Sequence, residues 1–244
     1  MIWQSLKKFF GKILNKFNKS VSTEINPVGK ILPDVRINVA TAAKLRGIKF
    51  FVHFTRIENL PSISEHGLLT RKNLDKNSVN YRFNDNNRMD NIINSLSLSI
   101  TFPNYKMFWK YRMADENVKW AMILLDAEKI LFNLPCAFNS ANASTNKMRY
   151  TNKKERMTLD AFQKMFYDEN LRKNLNLAFN ETTDPQAEIL CFADIPAEYF
   201  KAIVFQDSET ANEYKKLFKN ISCKVDEKYY FSPRHDWEFW KANY

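Results

Sequence analysis

The amino-acid sequence predicts a mixed α+β domain, with five to seven strands in a sheet and helices outside it. Runs rich in aromatic and β-branched residues, such as KFFVHFT, are typical of strands. The segment SLSLSITF alternates serine with apolar residues, which is the period of a strand with two different faces. Apolar residues at helical spacing separate these runs, and a hydrophobic content of 45% is enough to fill a sizeable core.

A basic amphipathic segment opens the chain, and we divide the 244 residues into an arm, 1–46, and a main domain, 47–244. In MIWQSLKKFFGKILNKFNKS the apolar residues recur at helical spacing while lysines fill the other face. Such a helix either docks on a protein surface, which we favour, or lies on a membrane. A linker containing Pro27 and Pro33 and a short helix near Val39–Arg46 complete the arm.

The main domain begins with the strand KFFVHFT, followed by a short helix in IENLPSISEHGLL. Pro61 suits the first turn of that helix, and Gly67 suits its end. Residues 71–94 are polar and rich in asparagine, which predicts an irregular loop. The strand SLSLSITF, the helix NYKMFWKYRM and a buried strand with a short turn in VKWAMILLDAEKIL come next.

The second half of the chain continues to alternate predicted helices and strands. A small, polar and basic stretch covers 136–157, and apolar residues at helical spacing follow between Leu159 and Leu171. A polar loop at 174–187 leads into the strand EILCF. The segment IPAEYFKAIVF gives a turn and a strand, ETANEYKKLFKN a helix, and SCKVDEKYYF the last strand.

The charge balance points to a polyanion as partner. Lysine and arginine number 37 against 27 acidic residues, a net charge of +10, which suits nucleic acid or an anionic membrane. A lysine- and asparagine-rich composition of the kind that an AT-rich genome produces would give the same excess.

Composition also excludes several classes of site. With 4 glycines and neither GxxxxGK[ST] nor GxGxxG, the common nucleotide-binding loops are absent from the sequence. Apolar runs are too short for a transmembrane helix. The three cysteines, Cys136, Cys191 and Cys223, are widely spaced, and only 3 histidines are present, so we expect no disulfide scaffold and no metal site. A reducing cytosol is the simplest setting.

Three residues stand out as candidates for chemistry. His53 lies within an apolar strand, where a histidine is more often a core residue than a functional one. Glu188 opens the strand EILCF, so the strand would fix a carboxylate at the mouth of a cleft, although a solvent-exposed charge at a strand end is the commoner case. Arg88, in NNRMDN, taken alone is one loop arginine among many.

Taken together, these segments resemble the DarT family, the DNA ADP-ribosyltransferase toxins of bacterial toxin–antitoxin systems. HFTRIENLPSISEHGLL carries the pattern H-x5-NLP-x-I-x3-GL, an arginine-bearing loop follows, and the triplet Gln186-Ala187-Glu188 stands late, at a strand start. The resemblance covers roughly residues 47–225. It implies an ADP-ribosyltransferase-like split β-sheet of six or seven strands with flanking helices, and NAD, the ADP-ribose donor, held in the cleft between the two halves.

The resemblance also implies individual roles. Glu188 takes the place of the catalytic glutamate and Arg88 that of the catalytic arginine, with Arg82 close enough in sequence to compete. His53 and Thr55 would hold the ribose on the nicotinamide side. The other assigned positions are Asn59 in the NAD pocket, Ser97 and Ser99 at the Ser-x-Ser position of the second strand, and Gln186 in target recognition.

The chemistry suits these residue types. Breaking the bond between nicotinamide and ribose develops positive charge on the ribose, as in glycoside hydrolysis. One nearby carboxylate can stabilise that charge and accept the proton of the attacking base nitrogen. No metal is required, and arginine can pair with the pyrophosphate of NAD in place of a glycine-rich loop.

Single-stranded DNA is the expected substrate, because a base must be exposed for its ring nitrogen to reach the ribose. Aromatic residues interleaved with cations suit such a strand, and they occur at 105–112 and 147–154. The first stretch could equally be a helix with a buried aromatic face, and the second a solvated loop. The residues assigned to DNA binding are Tyr105, Lys106, Lys147, Arg149, Tyr150, Lys153 and Lys154.

The target base and the partners are further expectations. Where thymine-modifying members follow the arginine loop with a VPFYF-like strand, this chain has SLSLSITFPNYKMFWKYR, which resembles the guanine-modifying branch and favours guanine. The resemblance also implies a cognate antitoxin that removes ADP-ribose from DNA, and we expect a cytoplasmic monomer. Transfer to RNA or protein, or nucleic-acid binding without catalysis, are the alternatives.

Overall fold

Seven strands form one sheet in the structure, a computed structural model that describes residues 33–79, 81–82, 94–145 and 150–242. The strands are β1 (Phe50–Arg56), β2 (Leu96–Ile100), β3 (Trp120–Asp126), β4 (Cys136–Asn139), β5 (Glu188–Cys191), β6 (Phe200–Phe205) and β7 (Ser222–Val225). Their order across the sheet is β4-β5-β2-β1-β3-β6-β7, and neighbours are antiparallel except for β6 and β7. The expected mixed α+β fold with an open sheet is confirmed.

Helices flank this sheet. They are α1 (Pro33–Leu45), α2 (Leu60–His66), α3 (Arg71–Lys76), α4 (Tyr105–Ala114), α5 (Ala127–Asn133), α6 (Lys153–Arg156), α7 (Leu159–Lys164), α8 (Glu169–Asn174), α9 (Ser208–Tyr214) and α10 (Trp237–Ala242). Residues from Pro33 onward form one unit, and the other unit, Met1–Leu32, lies outside the described residues together with the amphipathic helix predicted there.

The sheet divides between β1 and β2. β1 pairs with β3 along all of its length, from Phe50 opposite Asp126 to Arg56 opposite Trp120. Its pairing with β2 is confined to Phe51 opposite Ile100 and Val52 opposite Ser99. Beyond these two pairs the backbone ladder stops, so the halves β4-β5-β2 and β1-β3-β6-β7 part from each other and leave a cleft between them.

Alternating residues of the strands fill a core on each face of the sheet, as the period of a strand requires. On one face Phe51, Ile123 and Ile203 are fully buried against α1, α5 and α7. On the other face Val52 and Met122 pack with aromatic side chains, among them Phe108 of α4. Val39, Ala40 and Ala43 of α1 are buried in the first core, so this helix contributes to the packing of the main domain.

Gly67 ends α2 with a positive φ of 74°, as its position in the sequence suggests. The backbone then pairs with a distant segment, since the N–H of Leu68 donates to the carbonyl of Ile195 at 2.9 Å and the carbonyl of Leu68 accepts from the N–H of Ile195 at 2.8 Å. A Cβ at residue 67 would lie 2.5 Å from the Ile195 carbonyl oxygen. The close approach of two backbones therefore requires glycine here.

Several elements differ from the sequence prediction. The first residues of the expected loop 71–94 form α3, because the N–H of Thr70 and the side chain of Asn73 both donate to Asp194, at 2.7 and 2.6 Å. The turn expected after β3 is the helix α5, whose first turn is capped by the carboxylate of Asp126. β4 lies in the stretch taken as polar, where pairing with β5 makes it a strand. The helix α10 was not expected.

Candidate active site

The cleft between the two halves of the sheet has a volume of about 1010 Å³. It is lined from one side by β1 and the turn after it, and from the other by β2 and the first residue of β5. Nine residues singled out in the sequence line it: His53, Thr55, Asn59, Arg82, Ser97, Ser99, Lys106, Gln186 and Glu188. The split sheet therefore brings together positions that are up to 135 residues apart in the chain, from His53 to Glu188.

Glu188 is the first residue of β5 and is half-buried at the floor of the cleft. One of its carboxylate oxygens, Oε2, accepts a hydrogen bond of 3.0 Å from the backbone N–H of Ala143. Its backbone carbonyl accepts a bond of 3.0 Å from the side chain of Asn139, the residue opposite in β4. The pairing of β5 with β4 thus fixes the backbone of Glu188, and one hydrogen bond holds its carboxylate.

His53 bridges the point where the strands part. Its Nδ1 lies 3.0 Å from the carbonyl oxygen of Ser97 in β2. Because a carbonyl oxygen can only accept, Nδ1 carries the proton, and in the neutral ring Nε2 is then an acceptor. The acceptor chemistry of Nε2 suits the donating hydroxyl group of a sugar.

Asn59 and Thr55 connect the turn after β1 to Arg82. The amide of Asn59 donates to the carbonyl of Arg82 at 2.8 Å and accepts from its N–H at 2.7 Å. The same side-chain nitrogen lies 3.0 Å from the hydroxyl oxygen of the buried Thr55. Asn59 therefore fixes the backbone that places Arg82 in the cleft lining. Arg88 lies outside the described residues.

The two serines of β2 differ in environment. Ser97 is half-buried and pairs with Leu190 of β5. Ser99 is buried, and its hydroxyl accepts the N–H of Asn104 at 3.0 Å, which holds the loop before α4. Gln186 is half-buried, and its backbone N–H donates to Asp184 at 2.7 Å, an arrangement that fixes the turn before Glu188.

The residues assigned to DNA are distributed unevenly. Tyr150 is 87% exposed, and Lys154 is exposed on α6. The ammonium of Lys153 lies 3.5 Å from the ring centroid of Phe192, and burial together with the charge of Arg156 lowers the pKa of Lys153. Lys106 lines the cleft, and burial lowers its pKa, against the opposing effect of Asp184.

Tyr105 is buried, with 6% of its surface exposed, and packs edge-on against Phe102 at 6.5 Å between ring centroids. The ring belongs to the core of this structure, and the assignment of Tyr105 to DNA binding stays a prediction. Helical periodicity placed Tyr105 and Phe108 on one face, and that face is the buried one. Lys147 and Arg149 lie outside the described residues.

Sequence reasoning missed several lining residues. Arg71 belongs to α3, a helix in a stretch where the sequence predicts a loop, and Arg56 ends β1. Lys110 stood in the basic-aromatic stretch without being singled out. Asn142 and Ala143 come from the turn after β4, and no local pattern indicates that this turn would meet Glu188.

Among the described residues no group of three or more His, Cys, Asp or Glu side chains could hold a metal ion. Within the same residues no helix is both long and apolar enough to cross a membrane. The three cysteines are free thiols, and Cys136 and Cys191 face each other across β4 and β5.

Solved structures share this fold. Thermosipho africanus DarTG in complex with ADP-ribose matches at a TM-score of 0.51 and 16% identity, over 76% of this chain and 52% of that one, so this chain spans about half of that protein. Thermus sp. 2.9 DarT in complex with carba-NAD+ matches at 0.51 and 14% identity, over 75% of this chain and 97% of that one. The same protein in complex with ADP-ribosylated ssDNA matches at 0.50 and 13% identity, with the same coverage.

The family comparison covers most of the chain. The family model described as "ssDNA thymidine ADP-ribosyltransferase, DarT" matches residues 52–239, which include both halves of the sheet and the cleft. No curated protein matches the sequence. Since the family model covers well over half of the 244 residues, this chain belongs to the DarT family.

Proposed function

We propose that this protein transfers ADP-ribose from NAD to a base of single-stranded DNA in the cleft of the split sheet. The observation that carries the proposal is that His53 of β1 and Glu188 of β5 line the same cleft, from opposite sides of the line where β1 and β2 part. The solved relatives hold ADP-ribose, NAD+ or ADP-ribosylated ssDNA, which supports the same substrates for this chain.

The side chains of the cleft suit NAD. The acceptor nitrogen of His53 can receive a ribose hydroxyl, and the guanidinium groups of Arg56, Arg71 and Arg82 offer paired donors for pyrophosphate oxygens. A cleft of about 1010 Å³ lies at the upper end of the range of small-molecule sites. NAD supplies a ribose whose bond to nicotinamide breaks with the electron pair leaving on nicotinamide.

Glu188 would act at the reacting carbon. Its carboxylate stabilises the positive charge that develops on the ribose and then accepts the proton that the base nitrogen loses as it bonds to that carbon. The N–H of Ala143 holds the carboxylate and the side chain of Asn139 holds the backbone carbonyl of Glu188 before the substrate arrives. Little reorganisation is therefore needed when charge develops. Gln186, two residues earlier, would contact the target base from the cleft lining.

For the catalytic arginine we propose Arg88, with Arg82 as the competing candidate. Arg82 lines the cleft and is fixed by Asn59. Comparing Arg82→Lys with Arg88→Lys separates the two. The catalytic arginine should lower kcat by about 100-fold or more when replaced, whereas a pyrophosphate contact should mainly raise the KM for NAD.

As target base we propose guanine. The support is the sequence from β2 through α4, SLSLSITFPNYKMFWKYR, which differs from the corresponding segment of thymine-modifying members, although the family description names thymidine. Mass spectrometry of oligonucleotides that contain only one base type, incubated with NAD, decides the question. A gain of ADP-ribose on oligo-dT and not on a dG-containing strand would assign thymine instead.

We also propose that the protein acts in the cytoplasm as the toxin of a toxin–antitoxin pair, opposed by an enzyme that removes ADP-ribose from DNA. The support is family membership and the name DarTG of one relative. Growth arrest on expression, relieved by a DNA ADP-ribosyl hydrolase, is the expected outcome. Growth arrest that persists with Glu188→Gln would contradict it.

The test of the enzymatic proposal is Glu188→Gln, assayed with NAD and single-stranded DNA. Glutamine keeps an acceptor for the N–H of Ala143 but removes the negative charge, so kcat should fall by at least about 100-fold. Glu198→Gln, an exposed carboxylate outside the cleft, is the matched control and should leave the rate unchanged. Transfer at the normal rate by Glu188→Gln would reject the assignment, and RNA or protein supplied beside DNA reveals a different acceptor by its gain in mass.

A further inference from the structure

Behind Glu188 lies a network of buried polar groups. It begins at Asn139, the last residue of β4, which is directly opposite Glu188 and fully buried. The amide nitrogen of Asn139 donates to the carbonyl oxygen of Glu188 at 3.0 Å. The amide oxygen of the same side chain accepts from a guanidinium nitrogen of Arg156 at 2.9 Å. Asn139 thus connects the strand end that carries Glu188 to a buried arginine.

Arg156 is unusual because it is a cation with only 6% of its surface exposed. Burying a charge costs free energy that must be offset by partners. Arg156 belongs to α6, and Asn139 bonds to it, so α6 is attached to the end of β4 next to Glu188. The buried arginine therefore gives the end of β4 a defined position.

A second part of the network holds the carboxylate itself. After β4 the chain turns at Asn142, whose side-chain oxygen accepts from the N–H of Ser144 at 2.9 Å and from its hydroxyl at 2.6 Å. The backbone oxygen of Asn142 accepts from the N–H and the hydroxyl of Thr145, at 3.0 and 2.9 Å. This turn aims the N–H of Ala143 at Oε2 of Glu188, at 3.0 Å.

We propose that Asn139, Asn142 and Arg156 are positioning residues for the carboxylate of Glu188. Asn139 and Arg156 fix the backbone from which the side chain projects, and Asn142 shapes the turn whose N–H holds one carboxylate oxygen. The inference rests on the proposed function of Glu188. It adds three residues that act through Glu188 and that neither family membership nor the sequence pattern indicates.

Such a network matters because a catalytic group must be held within about 0.5 Å of its working position. A displacement of about 1 Å can lower a rate by about 100-fold. We therefore expect Asn139→Leu, Asn142→Ala and Arg156→Met to lower kcat by about 10- to 100-fold. The KM for NAD should change by less than about twofold, because none of the three groups supplies the contacts proposed for NAD.

Conservative variants keep the test interpretable if a severe variant does not fold. Asn139→Asp retains the acceptor for Arg156 and loses the donor to Glu188, so it should lower kcat while the protein folds. Arg156→Lys retains a donor and should keep more of kcat than Arg156→Met. Thr210→Val is the matched control, since it removes a buried hydroxyl on α9, outside the cleft lining, and should leave kcat unchanged.

Two kinetic outcomes would overturn the proposal. One is a rise in the KM for NAD at constant kcat, which would make these residues part of the binding surface. The other is a loss of kcat that equals the loss of folded protein, measured as the fraction that binds NAD, which would reduce the network to ordinary stability.

A measurement without substrate tests the contact directly. The exchange of the Ala143 amide hydrogen, followed by NMR, should be slow in the wild-type protein and faster in Glu188→Ala and Asn142→Ala, because each removes support for the bond. Equal exchange rates in all three proteins would contradict the proposed contact. If the wild-type protein transferred no ADP-ribose yet showed this protection pattern, the proposed function would fail while the positioning network would stand.

Discussion

His53 shows how one side chain serves both structure and chemistry. Past Val52 the backbone ladder between β1 and β2 ends, and the imidazole spans the gap with its bond of 3.0 Å to the carbonyl of Ser97. The ring therefore connects β1 to β2 through Nδ1, and we propose that Nε2 receives a ribose hydroxyl of NAD in the cleft. These two roles use different atoms, so substitutions that replace one atom at a time can separate them.

At position 53, the side-chain nitrogen of asparagine lies near the place of Nδ1 in the histidine ring, and the side-chain nitrogen of glutamine lies near the place of Nε2. His53→Asn can keep the donor to Ser97, and we expect an almost unchanged melting temperature but a KM for NAD raised about tenfold, the cost of about 1.4 kcal/mol for one lost hydrogen bond. His53→Gln loses the donor near Nδ1 and should lower the melting temperature. Thermal unfolding and steady-state kinetics on both variants check this.

The opposite ranking would contradict the assignment of the two ring atoms. If His53→Asn melted at a lower temperature than His53→Gln and bound NAD normally, the imidazole would contribute to the sheet through Nε2. Leu98 in the neighbouring strand is fully buried in the core, so a change there would lower stability without this distinction.

Among the elements, α9 illustrates a helix defined by its cap. Asp207 precedes it and accepts from the N–H of Thr210 at 2.7 Å and from its hydroxyl at 2.9 Å. That N–H is the main reason why the pKa of Asp207 is lowered, with the Thr210 hydroxyl and Lys119 adding to the effect against the cost of burial. The ionised carboxylate is therefore the form that stabilises the helix.

We expect Asp207→Ala to lower the free energy of unfolding by about 1 kcal/mol at neutral pH, the usual value of a cap. Asp207→Asn keeps the cap but lacks the charge. Because the folded pKa of Asp207 lies below the unfolded value of about 3.9, the charge contributes fully above that pH and is lost as the pH falls through the folded pKa. Urea denaturation at pH 7 and pH 3 should show the difference between wild type and Asp207→Asn shrinking in acid.

Glu213→Gln on the same helix is the control, since that exposed carboxylate is not a cap and should change stability by less than about 0.5 kcal/mol. A wild-type advantage over Asp207→Asn that grew in acid would contradict the sign of the pKa shift.

The carboxyl-terminal segment fastens the loop before Glu188. Arg234 and Asp236 form an ion pair at 2.6 Å with 3% and 0% of their side chains exposed. Arg234 also donates to the carbonyls of Thr182 and Thr183, at 2.8 and 3.2 Å. Asp236 receives the indole N–H of Trp240 at 2.8 Å, which attaches α10.

Asp236→Ala leaves a guanidinium buried without its carboxylate, and we expect a loss of about 3–5 kcal/mol in the free energy of unfolding. The double variant Arg234→Met with Asp236→Leu removes both charges and should be more stable than the single one. Urea denaturation measures both. A single variant that loses less than about 1 kcal/mol would show that the pair contributes little to holding the loop.

The comparison of sequence and structure follows from these elements. Strands with clear composition or alternation, such as β1 and β2, and the helix bounded by Pro61 and Gly67 could be predicted because their signals are local. β4 could not, since its residues open a stretch that is otherwise small, polar and basic, and its strand character comes from pairing with β5. In the same way, the position of Glu188 at the start of β5 could be predicted from the local sequence. Its contact with Ala143 could not, because that contact joins two segments 45 residues apart.

On the scale of the whole molecule, the described lining of the cleft carries an excess of positive charge. The charged residues among its described lining are five cations and one carboxylate, namely Arg56, Arg71, Arg82, Lys106, Lys110 and Glu188. A net charge of +10 that arose only from composition would have no preferred place. An approaching strand of DNA is attracted to such a surface over distances of about a Debye length, roughly 10 Å at 0.1 M salt.

Two kinds of contact with single-stranded DNA respond differently to salt. A lysine that neutralises a phosphate contributes a slope of about −0.7 to the plot of log affinity against log salt concentration, whereas base stacking on an aromatic ring contributes about 1–3 kcal/mol at any salt. Tyr150, which is 87% exposed, is the candidate for base stacking. The exposed Lys154 is the candidate for a phosphate contact. Lys224 on the edge strand β7, three strands away from β1 in the sheet, is a matched exposed lysine.

We expect Lys154→Ala to reduce the magnitude of the salt slope by about 0.7, because one phosphate contact is lost. Tyr150→Ala should weaken binding by a constant factor across salt concentrations without changing the slope. Lys224→Ala removes the same charge as Lys154→Ala and should change neither quantity. Fluorescence anisotropy titrations of a labelled oligonucleotide at several salt concentrations measure all three variants. Equal changes in slope for Lys154→Ala and Lys224→Ala would show that DNA responds to the net charge of the molecule, and Lys154 would then have no role as a specific phosphate contact.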